Sequence, residues 1–289
     1  MTTTSPVALA TYIHALMAAS SPQSPLGQRL VDWLRFQAPL VGIEFNKALR
    51  LRDANGRLQK VPAFGQPLTA KLWLQLKRAI AARLRAAADD AANDNDIAGG
   101  NLAQFAAALR LEPAESAVLT FTFLLGREPA FDKLCDRLVE TKVVDSLGLM
   151  SICLGLTMNE VWQSLTAGSL ARLRLIEVTG DGNRAFAYYM PHRLFSALLP
   201  PNQGLEAIEQ TLIGQRQSAR LQNDDYAHVA TARDFVARLL RGALRDGSTG
   251  INILLHGAPG TGKTEFCRMI AAAICCDLYA VGEVDSDGD

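Results

Sequence analysis

The sequence is poor in cysteine, and its few cysteines lack a recognisable pattern. Five cysteines are an odd number without the spacing of metal ligands, and the adjacent pair Cys275 and Cys276 would form a strained disulfide. Such usage excludes a disulfide-stapled secreted scaffold. We therefore expect reduced thiols in a cytoplasmic protein.

Long apolar segments and an N-terminal targeting signal are also missing. No Lys or Arg precedes Arg29, and polar residues interrupt the apolar stretch between Val7 and Ala19, so a secretory signal is not expected. The longest apolar runs, such as residues 117–125, are far shorter than the roughly 20 residues that span a bilayer. The expected partners therefore do not include a membrane.

Net charge is absent overall but not locally. The formal net charge is zero, with 49% hydrophobic and 20% charged residues, which is typical of a globular protein. Residues 1–88 nevertheless hold 12 Lys/Arg against 3 Asp/Glu, whereas residues 89–289 hold 17 against 26. The charge reverses at the acidic, Gly/Asn-rich stretch 89–100, which predicts a linker.

The N-terminal region is predicted to be helical and basic. Ser5 followed by Pro6 indicates a helix start, and a second helix is expected over residues 27–37. Thr69 is expected to cap a long helix with a stripe of apolar residues at four-residue spacing. This stripe consists of Leu72, Leu76, Ile80 and Leu84. The opposite face carries Lys71, Arg78 and Arg85, whose role, a solvated surface or a docking surface, stays open.

The middle of the sequence predicts short helices followed by a hairpin. Helices are expected over residues 101–153 in four segments, then from the capped start at 156–161 to Leu165, and over 169–173. Two β-prone runs, 175–179 and 184–189, flank a Gly-Asp-Gly-Asn turn. This order is that of a winged helix. Nucleic-acid binding is not expected, because residues 156–175 contain only two cations, Arg172 and Arg174.

A phosphate-binding loop is the strongest functional signal. Residues 251–256 are short, apolar and β-branched, as in a buried strand, and residues 257–264 match Gly, four residues, Gly-Lys-Ser/Thr. Residues 265–275 are typical of the helix that follows such a loop. Glycine lets the backbone bring its N–H groups against phosphate oxygens. Lys263 is expected to reach the β- and γ-phosphates of ATP, and the Thr264 hydroxyl to bind Mg²⁺.

The residues around this loop carry a family resemblance. With Pro259 before Gly260 and Thr261 between the last two glycines, the segment resembles the Walker A loop of AAA+ ATPases of the classical AAA family. The helix at about 231–245 is similar to the element that precedes the first strand in that family. A second strand is expected near 278–281. The resemblance implies that the cofactor-binding residues are Gly257, Ala258, Pro259, Gly260, Thr261, Gly262, Lys263, Thr264 and Glu265.

The remaining AAA+ elements have no counterpart in the sequence. Only 26 residues follow Lys263, and no apolar run ends in adjacent Asp-Glu, as a Walker B strand would. The sequence is therefore expected to be the N-terminal fragment of a longer protein, or a disrupted gene product. It is predicted not to hydrolyse ATP by itself, with no catalytic residue of its own. Residues 251–289 are expected to be marginally ordered or to lean on the helices before them.

The expected fold is a mainly α N-terminal region with a winged-helix-like part, followed by the truncated β-α-β start of an α/β P-loop domain. The expected domains are a basic helical region at 1–93, a winged-helix-like region at 94–222, and a linker helix with an incomplete P-loop domain at 223–289. Two functions follow from these expectations. One is the ATP-binding part of an AAA+ ATPase, whose full-length parent would be a hexamer that remodels a protein substrate. The other is a non-catalytic helical protein-interaction module with a vestigial P-loop.

Overall fold

The computed structural model describes residues 6–50, 60–90, 97–178, 185–200, 204–221 and 223–279. The chain divides into two compact units, Met1–Leu205 and Glu206–Asp289. The described residues are mostly helical, as expected for the mainly α region. The domain boundaries expected from the sequence stay predictions.

Among the described residues of the first unit, the regular structure is mostly helical, with eleven α-helices. They are α1 (Pro6–Ala18), α2 (Pro25–Gln37), α3 (Phe45–Ala48), α4 (Ala70–Asp90), α5 (Ile97–Ala108), α6 (Pro113–Arg127), α7 (Pro129–Glu140), α8 (Ser146–Leu154), α9 (Met158–Thr166), α10 (Ser169–Arg172) and α11 (His192–Leu198). A 3₁₀ helix spans Ala38–Val41.

Local capping explains where several of these helices begin. The Ser24 hydroxyl accepts a hydrogen bond from the Gly27 N–H at 3.1 Å at the start of α2. At the start of α9, Thr157 and Glu160 form a capping box, because each side chain accepts a bond from the other's backbone N–H. Such bonds satisfy N–H groups that have no acceptor within the helix. The helix starts expected near Pro6 and at 156–161 are confirmed.

The core of the first unit is aromatic and fully buried. α1 packs against α4 and α8, and Tyr12 on α1 lies 5.2 Å from Phe121 between ring centroids. Phe121 also contacts Phe131 and Phe186, at 5.9 and 6.1 Å. All three phenylalanines are completely buried, and burial also raises the pKa of Tyr12. Edge-to-face aromatic contacts of this kind add to the free energy of burying the rings.

The long helix α4 has the two faces that its sequence predicts. Leu72, Leu76 and Ile80 are completely buried, whereas Lys71, Arg78 and Arg85 lie on the exposed side. Since α4 packs on α1, the apolar stripe is the side that the core uses.

The predicted linker at 89–100 is only partly correct. α4 continues to Asp90 and α5 already begins at Ile97, while residues 91–96 lie outside the described residues. Leu102, Phe105 and Ala106 form a buried stripe on α5. Burial of this stripe explains why the Gly-rich signal at residues 99–100 does not end the helix.

The predicted hairpin forms as a minimal two-stranded sheet. Strand β1 (Glu177–Val178) pairs antiparallel with β2 (Tyr188–Tyr189), with Glu177 opposite Tyr189 and Val178 opposite Tyr188. The predicted turn at 180–183 lies outside the described residues. The hairpin follows α8, α9 and α10 in chain order, and the winged-helix assignment stays a prediction.

The second unit contains three longer helices and one 3₁₀ helix among its described residues. These are α12 (Leu205–Ile213), the 3₁₀ helix Asn223–Val229, α13 (Ala230–Asp246) and α14 (Lys263–Ala273). Helices α13 and α14 match the helices expected at 231–245 and 265–275. Sequence analysis missed α11 and α12, which are short, and α11 has no capping side chain. No described helix of either unit is both long and apolar enough to cross a membrane.

The five cysteines are not joined by disulfides, and their burial varies. Cys135 and Cys153 are buried in the first unit, Cys267 and Cys276 are half-buried, and Cys275 is exposed. Burial raises the pKa of the Cys153 thiol, so this group is a poor nucleophile.

Candidate functional site

Residues 257–262 form a tight loop that leads directly into α14. Gly260 and Gly262 have φ angles of 78° and 81°, a left-handed conformation that favours glycine. The Thr261 hydroxyl donates to the Ala258 carbonyl at 2.9 Å and closes the turn around Pro259. The loop is almost entirely exposed, so its backbone is accessible to a ligand.

Lys263 is the first residue of α14, and its side chain folds back over the loop. Its Nζ atom donates to the carbonyls of Gly257 and Ala258, at 3.1 and 2.8 Å. The ammonium group therefore lies beside the loop backbone, held by neutral acceptors. Thr264, the second helical residue, is exposed, and its hydroxyl forms no hydrogen bond with another described residue.

The N-terminus of α14 presents a run of unused hydrogen-bond donors. Gly262 is the N-cap and provides no side-chain cap. The backbone N–H groups of residues 260–264 donate to no acceptor among the described residues. Successive free N–H groups in a glycine-rich turn, together with the positive end of a helix dipole, favour an anion.

Glu265 is held by the protein itself. Its carboxylate accepts hydrogen bonds from the Arg268 guanidinium and from the backbone N–H of Arg220, the latter at 3.1 Å. The bonds from Arg268 and then from Arg220 hold the pKa of Glu265 below its ordinary value. Arg268 also donates to Gln217. A contact from Glu265 to a nucleotide stays a prediction, because both carboxylate oxygens already have protein partners.

Tyr226 contacts the loop from the 3₁₀ helix and was missed by sequence analysis. Its hydroxyl donates to the Gly262 carbonyl at 2.9 Å. The ring is 5% exposed and lies edge-to-face on Phe266, with 5.4 Å between centroids. Desolvation raises its pKa, so the hydroxyl stays protonated and able to donate. The only sequence feature that could have pointed to Tyr226 is its position as a large aromatic residue directly after Asp224 and Asp225.

The buried side of α14 packs in a small apolar core. Phe266, Met269 and Ile270 are buried and pack with Tyr226 and Ala237. The Arg241 guanidinium on α13 donates to the Ala273 carbonyl at 2.9 Å, which satisfies the C-terminal end of α14. A cavity of about 230 Å³ beside α14 is lined mainly by apolar residues, among them Ile253, Leu255 and Ile270.

The prediction of a buried strand at residues 251–256 is wrong, because the structure has no strand there. These residues carry no regular secondary structure, and the Leu254 side chain is 86% exposed. A parallel strand needs neighbours on both sides and covered faces, and no described segment pairs with it. Of the second predicted strand, at 278–281, residues 280–281 lie outside the described residues. Tyr279 forms one antiparallel bridge with Arg216, and Leu278 accepts a bond from the Gln217 N–H at 2.8 Å. The β-α-β unit is therefore not formed by the described residues.

The groups that would fit ATP with Mg²⁺ are backbone N–H donors, one ammonium group and one hydroxyl. Five free backbone donors and one ammonium group surround the turn, which suits the phosphate oxygens of a nucleotide. No group of three or more His, Cys, Asp or Glu side chains in the described part of the chain is arranged to hold a metal ion. Mg²⁺ in nucleotide sites is held largely by phosphate and water oxygens, so the exposed Thr264 hydroxyl would be one protein ligand for it.

Comparisons with known proteins identify no relative. A scan against protein-family models, a search of curated proteins and a search of solved structures each found no match to this chain.

Proposed function

We propose that this chain binds ATP with Mg²⁺ through the loop at residues 257–264 and the first turn of α14. The observation that carries the proposal is the run of free backbone N–H groups at residues 260–264, with the Lys263 ammonium beside it. A polyanion supplies the acceptors that these donors lack. The sequence pattern of the loop supports the same ligand.

Each residue has a role in this proposal. The N–H groups of Gly260 to Thr264 would donate to phosphate oxygens, and the left-handed glycines keep that surface free of side chains. Lys263 would exchange two neutral carbonyl acceptors for charged phosphate oxygens, which form stronger bonds. The Thr264 hydroxyl would bind Mg²⁺, which neutralises phosphate charge when bound.

We extend the proposal to binding without turnover by this chain alone. The 289 residues contain no adjacent Asp-Glu pair that could serve as a Walker B site. From the resemblance to AAA+ ATPases, we propose that ATP hydrolysis and remodelling of a protein substrate are activities of a hexamer of the full-length parent. The paired β-α-β arrangement around the loop is proposed for that parent too.

Binding of a fluorescent ATP analogue with Mg²⁺ tests the proposal. Wild type should bind saturably, and Lys263→Ala should bind about tenfold more weakly or worse, since a hydrogen bond to a charged group contributes roughly 1.5–3 kcal/mol. Lys71→Ala is the matched control, because Lys71 lies on the exposed face of α4 in the other unit. Its affinity should equal that of wild type.

The role of Mg²⁺ is tested separately with Thr264→Ala. In wild type, adding Mg²⁺ should tighten binding of the analogue, whereas Thr264→Ala should lose most of this dependence and keep its affinity without the ion. An absence of saturable binding by wild type would contradict the proposal. It would leave the non-catalytic interaction module, the alternative expected from the sequence, as the function of this chain.

A further inference from the structure

The Gly262 carbonyl accepts two hydrogen bonds from two different segments. The Phe266 N–H donates to it at 2.8 Å, as the first bond of α14. The Tyr226 hydroxyl donates to it at 2.9 Å from the preceding 3₁₀ helix. A carbonyl oxygen has two lone pairs, so both are used and the direction of this carbonyl is fixed.

Fixing this carbonyl also fixes the N–H group of Lys263. The Gly262 C=O and the Lys263 N–H belong to one planar trans peptide, in which the two bonds point in opposite directions. The Lys263 N–H is one of the free donors at the loop. Tyr226 therefore contacts the carbonyl side of this peptide, and the N–H side of the same peptide faces the candidate phosphate site.

The surroundings of Tyr226 leave it little freedom. The side chain is 5% exposed, and its ring packs edge-to-face on Phe266, one turn into α14. A methyl group added at Gly262 would lie 3.1 Å from the Tyr226 hydroxyl, so the two residues are in close contact. An exposed tyrosine could reach many acceptors, whereas this one is placed on a single carbonyl.

A second bond ties the same part of the chain to the first turn of α14. The Arg220 N–H donates to the Glu265 carboxylate at 3.1 Å, six residues before Tyr226. Tyr226 and Arg220 thus hold the residues on either side of the pair Lys263 and Thr264. These two are the residues to which the proposed function assigns phosphate and Mg²⁺ contacts.

We propose that Tyr226 is a positioning residue for the phosphate site: its hydroxyl orients the Gly262–Lys263 peptide so that the Lys263 N–H points to a bound phosphate group. This inference rests on the proposed binding of ATP. Tyr226 does not touch the nucleotide and acts only through the peptide.

Tyr226→Phe is the decisive variant, because it removes the hydroxyl and keeps the ring on Phe266. Affinity for the fluorescent ATP analogue should fall about three- to tenfold, the range expected for loss of one neutral hydrogen bond. Tyr279→Phe is the matched control. It removes a tyrosine hydroxyl from the same unit, where Tyr279 pairs with Arg216 through the backbone. Its affinity should not change.

A purely structural role for Tyr226 predicts a different pattern. General loosening of the unit would weaken binding of ATP and adenosine analogues by the same factor, whereas positioning weakens binding of ATP and inorganic triphosphate and spares adenosine, which has no phosphate. In ¹H–¹⁵N spectra, inorganic triphosphate should shift the Lys263 amide strongly in wild type and weakly in Tyr226→Phe. Wild type that binds no nucleotide would overturn both proposals. Wild type that binds, with Tyr226→Phe equal to it or weakened equally for all ligands, would overturn this inference alone.

Discussion

The two units of the chain differ in how completely their described residues bury apolar side chains. In Met1–Leu205, the aromatic cluster around Phe121, Phe131 and Phe186 is completely buried. Among the described residues of Glu206–Asp289, the apolar cluster that packs on α14 contains five residues that are each 3–9% exposed, while Leu254 is 86% exposed. The described part of the first unit therefore has a filled core, and that of the second unit a thin one. The candidate loop is supported by the thin core.

The positions of tryptophan allow the two units to be followed separately. Trp33, Trp73 and Trp162 all lie in the first unit, and residues 206–289 contain none. Tryptophan fluorescence therefore reports unfolding of the first unit, and amide hydrogen exchange in α14 reports opening of the second. This separation matters because a chain with two units need not unfold in a single transition.

The largest expected effect is in the filled core, for Phe121→Ala. Removing a fully buried phenylalanine leaves a cavity and should lower the free energy of unfolding by about 3–5 kcal/mol. Urea unfolding followed by tryptophan fluorescence measures this. Phe36→Ala is the control, because Phe36 is 69% exposed, and its change should stay within about 0.5 kcal/mol. Equal effects of the two substitutions would contradict the contrast in burial.

A smaller effect is expected in the thin core, for Ile270→Ala. Ile270 is 3% exposed beneath the loop, and its truncation should cost about 2–4 kcal/mol of local stability. Faster amide exchange throughout α14 measures the loss. Leu254→Ala, in contrast, should change exchange by no more than about 0.5 kcal/mol, because this side chain is largely in solvent. A large loss for Leu254→Ala would show that residues 251–256 are buried in solution.

The smallest expected effect concerns the charge of Glu265. Its pKa is held below the ordinary 4.5 by Arg268 and then by Arg220. The stabilisation is therefore present above the ordinary pKa and is lost as the pH falls through the lowered value. Glu265→Gln should raise the amide exchange rates in α14 above those of wild type at pH 7. In acid the two proteins should exchange at the same rates.

Glu209→Gln provides the comparison for this experiment. Glu209 is exposed on α12, so this substitution removes one carboxylate from the surface of the same unit. This variant should behave as wild type at both pH values. If Glu265→Gln differed from wild type equally at neutral and acid pH, the ionised carboxylate would not be the stabilising form.

Much of the helical architecture could be predicted from local signals. Thr157 and Glu160 predicted a capped start that the structure contains, and the apolar stripe of α4 predicted its buried face. Both depend on residues within one or two turns of each other. The missed helix α11 follows Pro191 without a capping side chain, and Phe195 on it packs on Phe123, which is distant in sequence. Only a tertiary contact reveals such a helix.

The candidate site divides in the same way. By itself, the sequence determined the glycine loop and the helix that follows it, expected from residue 265 and observed from Lys263, because these depend on the conformational freedom of glycine and on helix geometry over eight residues. Only the tertiary structure decided that Tyr226 holds the Gly262 carbonyl, that Arg220 holds Glu265, and that residues 251–256 have no strand partner among the described residues. Pairing and packing depend on which segments meet in space, and no local pattern specifies that.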